Sequence, residues 1–318
     1  MRRRLMAILT FLSLLVSCGK TNEEKVQSEL NSAEIDLTRG DCDSALSKLT
    51  GISSQDDNAK FLKLLASAYA CKAGYKTTVF FTDDLPKLDA NFLLSSFTLF
   101  STSDVMNSPT QEDYLNIQRA VNILKFAGGF PTSTDPTSAL RKLRFTSKES
   151  AQIHSFLMFL LMVNLGQYSY FYGNTGATGI KGAGTNVNDC FMKYDAAMIA
   201  AMGGSGGSCD NAADSGHPNL DPGTVNFTNA CEGVALINAF IDVIPEVIAS
   251  ASGTDFSELG DFDPNVIKTA ASAALTFAGK GTDILDKTSA VTCESDITDE
   301  DTFRYFFAMF FDILHSKT

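Results

Sequence analysis

The chain has 318 residues, 44% apolar and 19% charged, which is enough apolar material for a buried core and argues against wholesale disorder. Its 25 Lys and Arg face 37 Asp and Glu, a net charge of −12, so the basic footprint of a nucleic-acid binder is missing and no nucleic-acid partner is expected. With no Trp and three histidines (His154, His217 and His315), few groups suit proton transfer or metal ligation.

The first element is an export signal. Arg2, Arg3 and Arg4 precede an apolar run from Leu5 to Val16, too short to span a bilayer, so residues 1–17 read as a signal peptide. The run closes on Leu15-Val16-Ser17-Cys18, which resembles the lipobox of bacterial lipoproteins. That resemblance implies cleavage before Cys18, a diacylglycerol on its sulfur and, often, an acyl chain such as palmitate on its freed amine. Several acyl chains, at about 0.8 kcal/mol per buried CH₂, anchor a protein stably. Losing the three arginines lowers the basic count from 25 to 22 and the net charge to −15, so the body gains no attraction from anionic lipid and the N-terminal lipid is its membrane contact. Gly19 and Lys20 follow the cysteine. In the family's Gram-negative sorting pattern the lack of Asp in the second place favours the outer membrane, periplasmic face. Residues 18–24 serve as a lipidated tether.

With Cys18 assigned to lipid, six cysteines remain: Cys42, Cys71, Cys190, Cys209, Cys231 and Cys293. An even number in an exported chain reads as a disulfide framework. The spacings favour Cys42–Cys71, with Cys190–Cys209 and Cys231–Cys293 as the other pairs. No CxxC or Cys/His cluster is present, so no metal site and no cofactor are expected.

Residues 25–172 form a first helical region. Helical periodicity from Asn22 to Arg39 stops at Gly40, and a second helix begins near Asp41-Cys42. The segment Ala33, Leu37, Gly40-Asp41-Cys42 and Ala45 resembles a tetratricopeptide repeat, and Ala66 in Leu64-Leu65-Ala66-Ser67-Ala68-Tyr69 restarts it near the expected period of 34. The resemblance covers roughly residues 22–80, lacks the family's Trp and closing Pro, and implies that Cys42 lies beside Cys71. Further on, Asp84 or Leu85 before Pro86 predicts a helix to Phe100. Ser108-Pro109-Thr110-Gln111 predicts the start of another, bearing Ile117, Ala120, Val121 and Leu124. Asp135-Pro136 is read as the cap of a short helix to Leu143. Thr146-Ser147-Lys148-Glu149 is a capping box for the longest apolar segment, Ile153 to Tyr172, read as a central buried helix rather than a second membrane span.

Residues 173–318 form a second region, helical with Gly-rich, disulfide-pinned loops. Gly173 to Asn188 and Gly203 to Gly223 are loops on composition, with a short helix from Phe191 to Met202 between them. Val234, Ile237, Ile241, Ile244 and Ile248 mark a long helix kinked near Pro245, Asp263-Pro264 caps the next, and Thr298 is read as the cap of a terminal Phe303–Leu314 helix. The fold class is all-α: tetratricopeptide-like hairpins continuing into an irregular bundle or solenoid.

Constellations with chemistry are weak. The run Gly176-Ala177-Thr178-Gly179-Ile180-Lys181-Gly182 invites a phosphate-loop reading but lacks the GxxxxGK[ST] order. Asp210, Asp214 and Asp221, with Asn211 and Asn219, read as a solvated acidic loop rather than a Ca²⁺ site, and so do Asp255, Glu258 and Asp261. His154 reads as a cap or satisfied core residue. No nucleophile signature accompanies any histidine, so the chain is not expected to be an enzyme. An aromatic string, Tyr168, Tyr170, Phe171 and Tyr172, ends this helix, and its tyrosines Tyr168, Tyr170 and Tyr172 with the loop residues Gly176 and Lys181 are the candidate contacts for a ligand or partner. The sequence thus predicts a lipid-anchored scaffold that binds an envelope protein or peptide. In anchor, size and helical content it also looks like the periplasmic lipoproteins that accompany tripartite (TRAP) solute transporters, which implies a small-molecule accessory role as the alternative. A hydrolase of envelope polymers ranks third.

Overall fold

The computed structural model describes residues 21–194, 216–250 and 263–315. The leader, Cys18, most of the expected 191–202 helix, Cys209, and Asp210, Asn211, Asp214, Asp255, Glu258 and Asp261 lie outside the described residues. Among the described residues the chain is helical and has no β-strand, which is the all-α class. It divides into two compact units, Met1–Ser54 and Gln55–Thr318.

The first unit is a helical hairpin. Helix α1 (Asn22–Thr38) opens on a capping box: Glu24 N donates to Thr21 Oγ1 (3.2 Å) and Thr21 N donates to Glu24 Oε2 (2.8 Å). Gly40 takes φ +75°, the left-handed turn that ends it, and Asp41 accepts from Ser44 N (3.1 Å) to start α2 (Cys42–Thr50). Leu30, Ala33, Ala45 and Leu49 are fully buried. Asp36 accepts from Ser44 Oγ (2.8 Å) and from the Lys48 ammonium, and the lysine holds its carboxyl below the usual range.

The second unit is organised around α7. In chain order its helices are α3 (Ala59–Lys72), α4 (Leu93–Phe97), α5 (Glu112–Lys125), α6 (Ser138–Lys142), α7 (Ser147–Tyr172), α8 (Phe227–Ser250), α9 (Pro264–Phe277), α10 (Ala290–Asp296) and α11 (Glu300–Phe307). The capping box predicted for α7 is present, with Glu149 N donating to Thr146 Oγ1 (3.3 Å). Helix α7 is buried on nearly every side and packs against α8, α5, α4, α3 and α6, with α8 its most extensive neighbour. Gly166 makes the α4 contact possible, because a Cβ there would lie 2.3 Å from the Phe97 carbonyl oxygen. No described helix is long and apolar enough to cross a membrane. Since α7 and α8 share one core, contacts divide the chain after Ser54 rather than at the composition change after residue 172.

Several predicted starts move. Instead of one helix from Asp84 or Leu85 to Phe100, the chain makes a π-turn (Phe80–Asp84), two 3₁₀ turns (Leu85–Lys87, Ala90–Phe92) and α4. Asp84, wholly buried, accepts from Ser101 N (2.8 Å), Ser101 Oγ (3.0 Å), Thr102 N (2.8 Å) and Lys87 Nζ (2.8 Å), so its carboxylate gathers a loop instead of capping a helix. Ser108–Thr110 form a turn and α5 begins after Gln111, whose Oε1 accepts from Asn107 N (2.7 Å). Thr137, not Asp135, caps α6. Asp135 instead accepts from Thr288 N (2.8 Å), Ser289 N (2.9 Å) and Thr292 Oγ1 (2.7 Å) at the start of α10. Asp299 rather than Thr298 caps the last α-helix, which ends at Phe307 and continues as a π-turn and a 3₁₀ turn. Asp263 caps α9 as read, and α8 runs through Pro245.

Most of the packing on α3 comes from α5, some forty residues on, rather than from an immediately following helix, so α3 is not the first half of a consecutive helix pair.

Candidate functional site

The Gly-rich loop after α7 is held by two asparagines. Asn174, at φ +47°, donates through Nδ2 to Asn186 O (3.0 Å) and Asn188 O (2.8 Å), and its Oδ1 accepts from Asn186 N (2.9 Å). Asn188 Nδ2 donates to Tyr172 O (3.1 Å) and Cys190 O (2.9 Å). The glycine amides are used inside the loop: Gly176 N donates to Ile180 O (3.0 Å), Gly182 N to Gly173 O (3.0 Å) and Gly184 N to Asn174 O (2.7 Å). They therefore form no phosphate nest. Between this loop and the end of α7 lies a cleft of about 310 Å³, lined by Tyr170, Phe171, Asn107, Gly176, Thr185 and Asn186 among others.

Of the aromatic string, Tyr170 and Phe171 reach this cleft, and Tyr168 and Tyr172 do not. Residues four apart share a helix face, so Tyr168 and Tyr172 point together into the core while Tyr170 points away. Tyr168 and Tyr172 are fully buried, with ring centroids 4.4 Å apart, so as contacts for a partner they are corrected to core residues. Tyr168 Oη donates to Asn229 O (2.8 Å), and Gly233 gives it room, since a Cβ there would lie 2.7 Å from that oxygen. Burial pushes both phenols well above their ordinary range. Gly176 lies in the cleft wall, whereas Lys181 forms an ion pair with Asp312 outside it.

Cys231 and Cys293 are joined, with Cα atoms 5.5 Å apart. Cys42, Cys71 and Cys190 are each disulfide-bonded as well.

The histidines occupy three separate settings. His154 is buried, and its Nε2 has no hydrogen-bond partner among the described residues. Burial lowers its pKa to about 4, and it lines a pocket of about 280 Å³ beside the Lys142–Glu246 ion pair (2.7 Å). It is thus a core residue, but not a satisfied one. His217 Nδ1 accepts from Asn219 N (3.1 Å), and burial lowers its pKa to about 4 too. His315 Nε2 lies 3.1 Å from Thr175 Oγ1. Asp221 is buried and bound by Arg304 through Nε (3.0 Å) and Nη2 (3.2 Å), so it serves as an anchor for α11 rather than as part of a solvated loop. Among the described residues no group of His, Cys, Asp and Glu could hold a metal ion.

A second polar constellation was not foreseen. Between α5, α8 and α10 is a cavity of about 100 Å³, lined by Gln118, Lys125, Glu232 and Ser289 with apolar neighbours including Val121 and Leu236. Glu232 accepts from Tyr114 Oη and Gln118 Nε2, both on Oε1. Burial outweighs those bonds and raises its pKa to about 7. Lys125 is 4% exposed, burial lowers its pKa to about 8, and its Nζ lies 5.1 Å from the centre of the Phe126 ring. The available signal was modest: Glu232 is the single charged residue from Phe227 to Ile241, and Lys125 follows Val121 by four on the buried stripe of α5. No protein-family model, no curated protein and no solved structure matches the chain.

Proposed function

We propose that this chain is a lipid-anchored, non-catalytic binding protein of a bacterial cell envelope, moored through Cys18 in the outer membrane and facing the periplasm. Leu15-Val16-Ser17-Cys18 supports the anchor, and the cysteines engaged in disulfides fit an oxidising compartment. The observation that carries the binding role is the loop-walled cleft at Tyr170. It offers an aromatic face, side-chain amides and a loop whose glycine amides at 176, 182 and 184 are already engaged, which suits an extended peptide segment of an envelope protein.

Two linked experiments test this reading. Labelling with a palmitate analogue should mark the full chain, and Cys18→Ser should abolish the label and release the body into the soluble envelope fraction. A photo-crosslinking residue at 170 or 185 should give one discrete adduct in intact cells, lost when Gly176→Arg fills the cleft. An unlabelled wild-type chain sinks the anchor, and an adduct pattern indifferent to Gly176→Arg sinks the cleft.

A further inference from the structure

Three cationic side chains set into the second unit, Arg141 buried and Arg304 and Lys181 half-buried, are each closed by an acid. Arg141 reaches Asp242 (3.1 Å), Arg304 grips Asp221, and Lys181 pairs with Asp312. Lys125 departs from this pattern. Its ammonium has no carboxylate within ion-pair distance among the described residues, although Glu232 lines the same cavity. Glu232 is fixed on one side only: both donors bind Oε1, and Oε2 has no protein partner among the described residues. Glu232 is half-buried, and neither Lys125 Nζ nor Glu232 Oε2 is sealed away from solvent, so both charged groups stand open to the cavity without meeting each other, available to a ligand that carries the matching charges.

We infer that the cavity between α5, α8 and α10 binds a small zwitterion, an α-amino acid with a short side chain, whose carboxylate meets Lys125 and whose ammonium meets Glu232. A simple anion would meet Lys125 but be repelled by Glu232, a simple cation would suffer the reverse, and an apolar solute would leave both charges unpaired. The cavity, about 100 Å³ and open on one side, is small enough to suit a ligand with a short side chain. Val121 and Leu236 supply an apolar wall for that side chain. Asn122 and Val291, both exposed, form the rim through which it enters. The Cys231–Cys293 bond and the Asp135 cap hold α10 in place as the far wall. This site is independent of the cleft at Tyr170.

Calorimetric titration of the full chain in detergent with glycine, L-alanine, acetate and ethylamine tests it. Glycine or L-alanine should bind at least tenfold more tightly than acetate or ethylamine. Lys125→Met and Glu232→Gln should each weaken that binding at least tenfold, with unchanged helical circular dichroism showing that both variants fold. Ala290→Phe, which fills the cavity from its half-buried wall and leaves both charges in place, should abolish it. Equal affinity for acetate would overturn the zwitterion in favour of a simple anion site. Absence of binding by wild type, or undiminished binding by Ala290→Phe, would overturn the site altogether.

Discussion

Helix α8 carries two acids ten residues apart, and the contrast between them separates structural from functional electrostatics in this molecule. Asp242 receives Ser138 N (2.6 Å), Ser138 Oγ (3.0 Å) and Arg141 Nη2 (3.1 Å), so it ties α6 to α8 and neutralises a guanidinium that is 1% exposed. Glu232 receives two neutral donors and leaves its cationic neighbour, Lys125, uncoordinated. Both carboxylate oxygens of Asp242 serve the fold. Glu232 keeps one oxygen, Oε2, that binds no other group of the described residues and stands open to the cavity.

The sharpest way to break that contrast is to remove each partner in turn. Asp242→Ala leaves the buried Arg141 guanidinium without its counter-charge and Ser138 N without its acceptor, and should lower unfolding free energy by roughly 3–5 kcal/mol in urea titration. A loss below about 1 kcal/mol would place Asp242 in the same class as Glu232.

Glu232→Gln should act in the opposite direction and only at higher pH. The folded carboxyl titrates near 7, above its unfolded value near 4.5, so the fold favours the protonated form. Its contribution is complete below pH 4.5 and is lost as pH rises toward 7. Glutamine keeps the acceptor for Tyr114 without that loss, so the variant should match wild type near pH 4 and exceed it by on the order of 2 kcal/mol near pH 7.5. Paired urea melts at the two pH values measure this, and a constant offset would contradict it.

Lys125→Met should also stabilise, by about 1 kcal/mol at pH 7, because an apolar chain of similar length replaces a desolvated ammonium. The gain should fade as pH rises above about 8, where the folded lysine is already neutral. The smallest effect belongs to a third acid of the same helix. Glu246 pairs with Lys142 at 2.7 Å, but both are partly exposed, and Lys142→Ala should change stability by about 0.5 kcal/mol or less.

Features set by residues near one another in the chain were legible before the structure. Thr146 and Glu149 announced α7, Gly40 and Asp41 the turn of the first hairpin, and Asp263-Pro264 the start of α9. Features set by distant partners were not. Asp135 looks like a local cap, but its ligands are Thr288, Ser289 and Thr292, brought close only by the completed fold. Asp84 failed as a helix start for the same reason, because the amides of Ser101 and Thr102 compete for its carboxylate. The aromatic string was read as a unit although helical periodicity divides it, leaving Tyr170 and Phe171 at the cleft and Tyr168 and Tyr172 in the core. Lys125 and Glu232 lie on different helices more than a hundred residues apart, and no spacing rule joins them.

The bond between Cys231 and Cys293 immediately precedes Glu232 in sequence and closes a separation of 62 residues. A newly made, reduced chain lacks the covalent tie between α8 and α10, so the compartment enclosed by those helices gains this brace only after electrons have been withdrawn from the two thiols. Oxidation thereby acts as an assembly step for recognition as well as a brace, and reductant should soften this corner of the molecule before it unravels the rest.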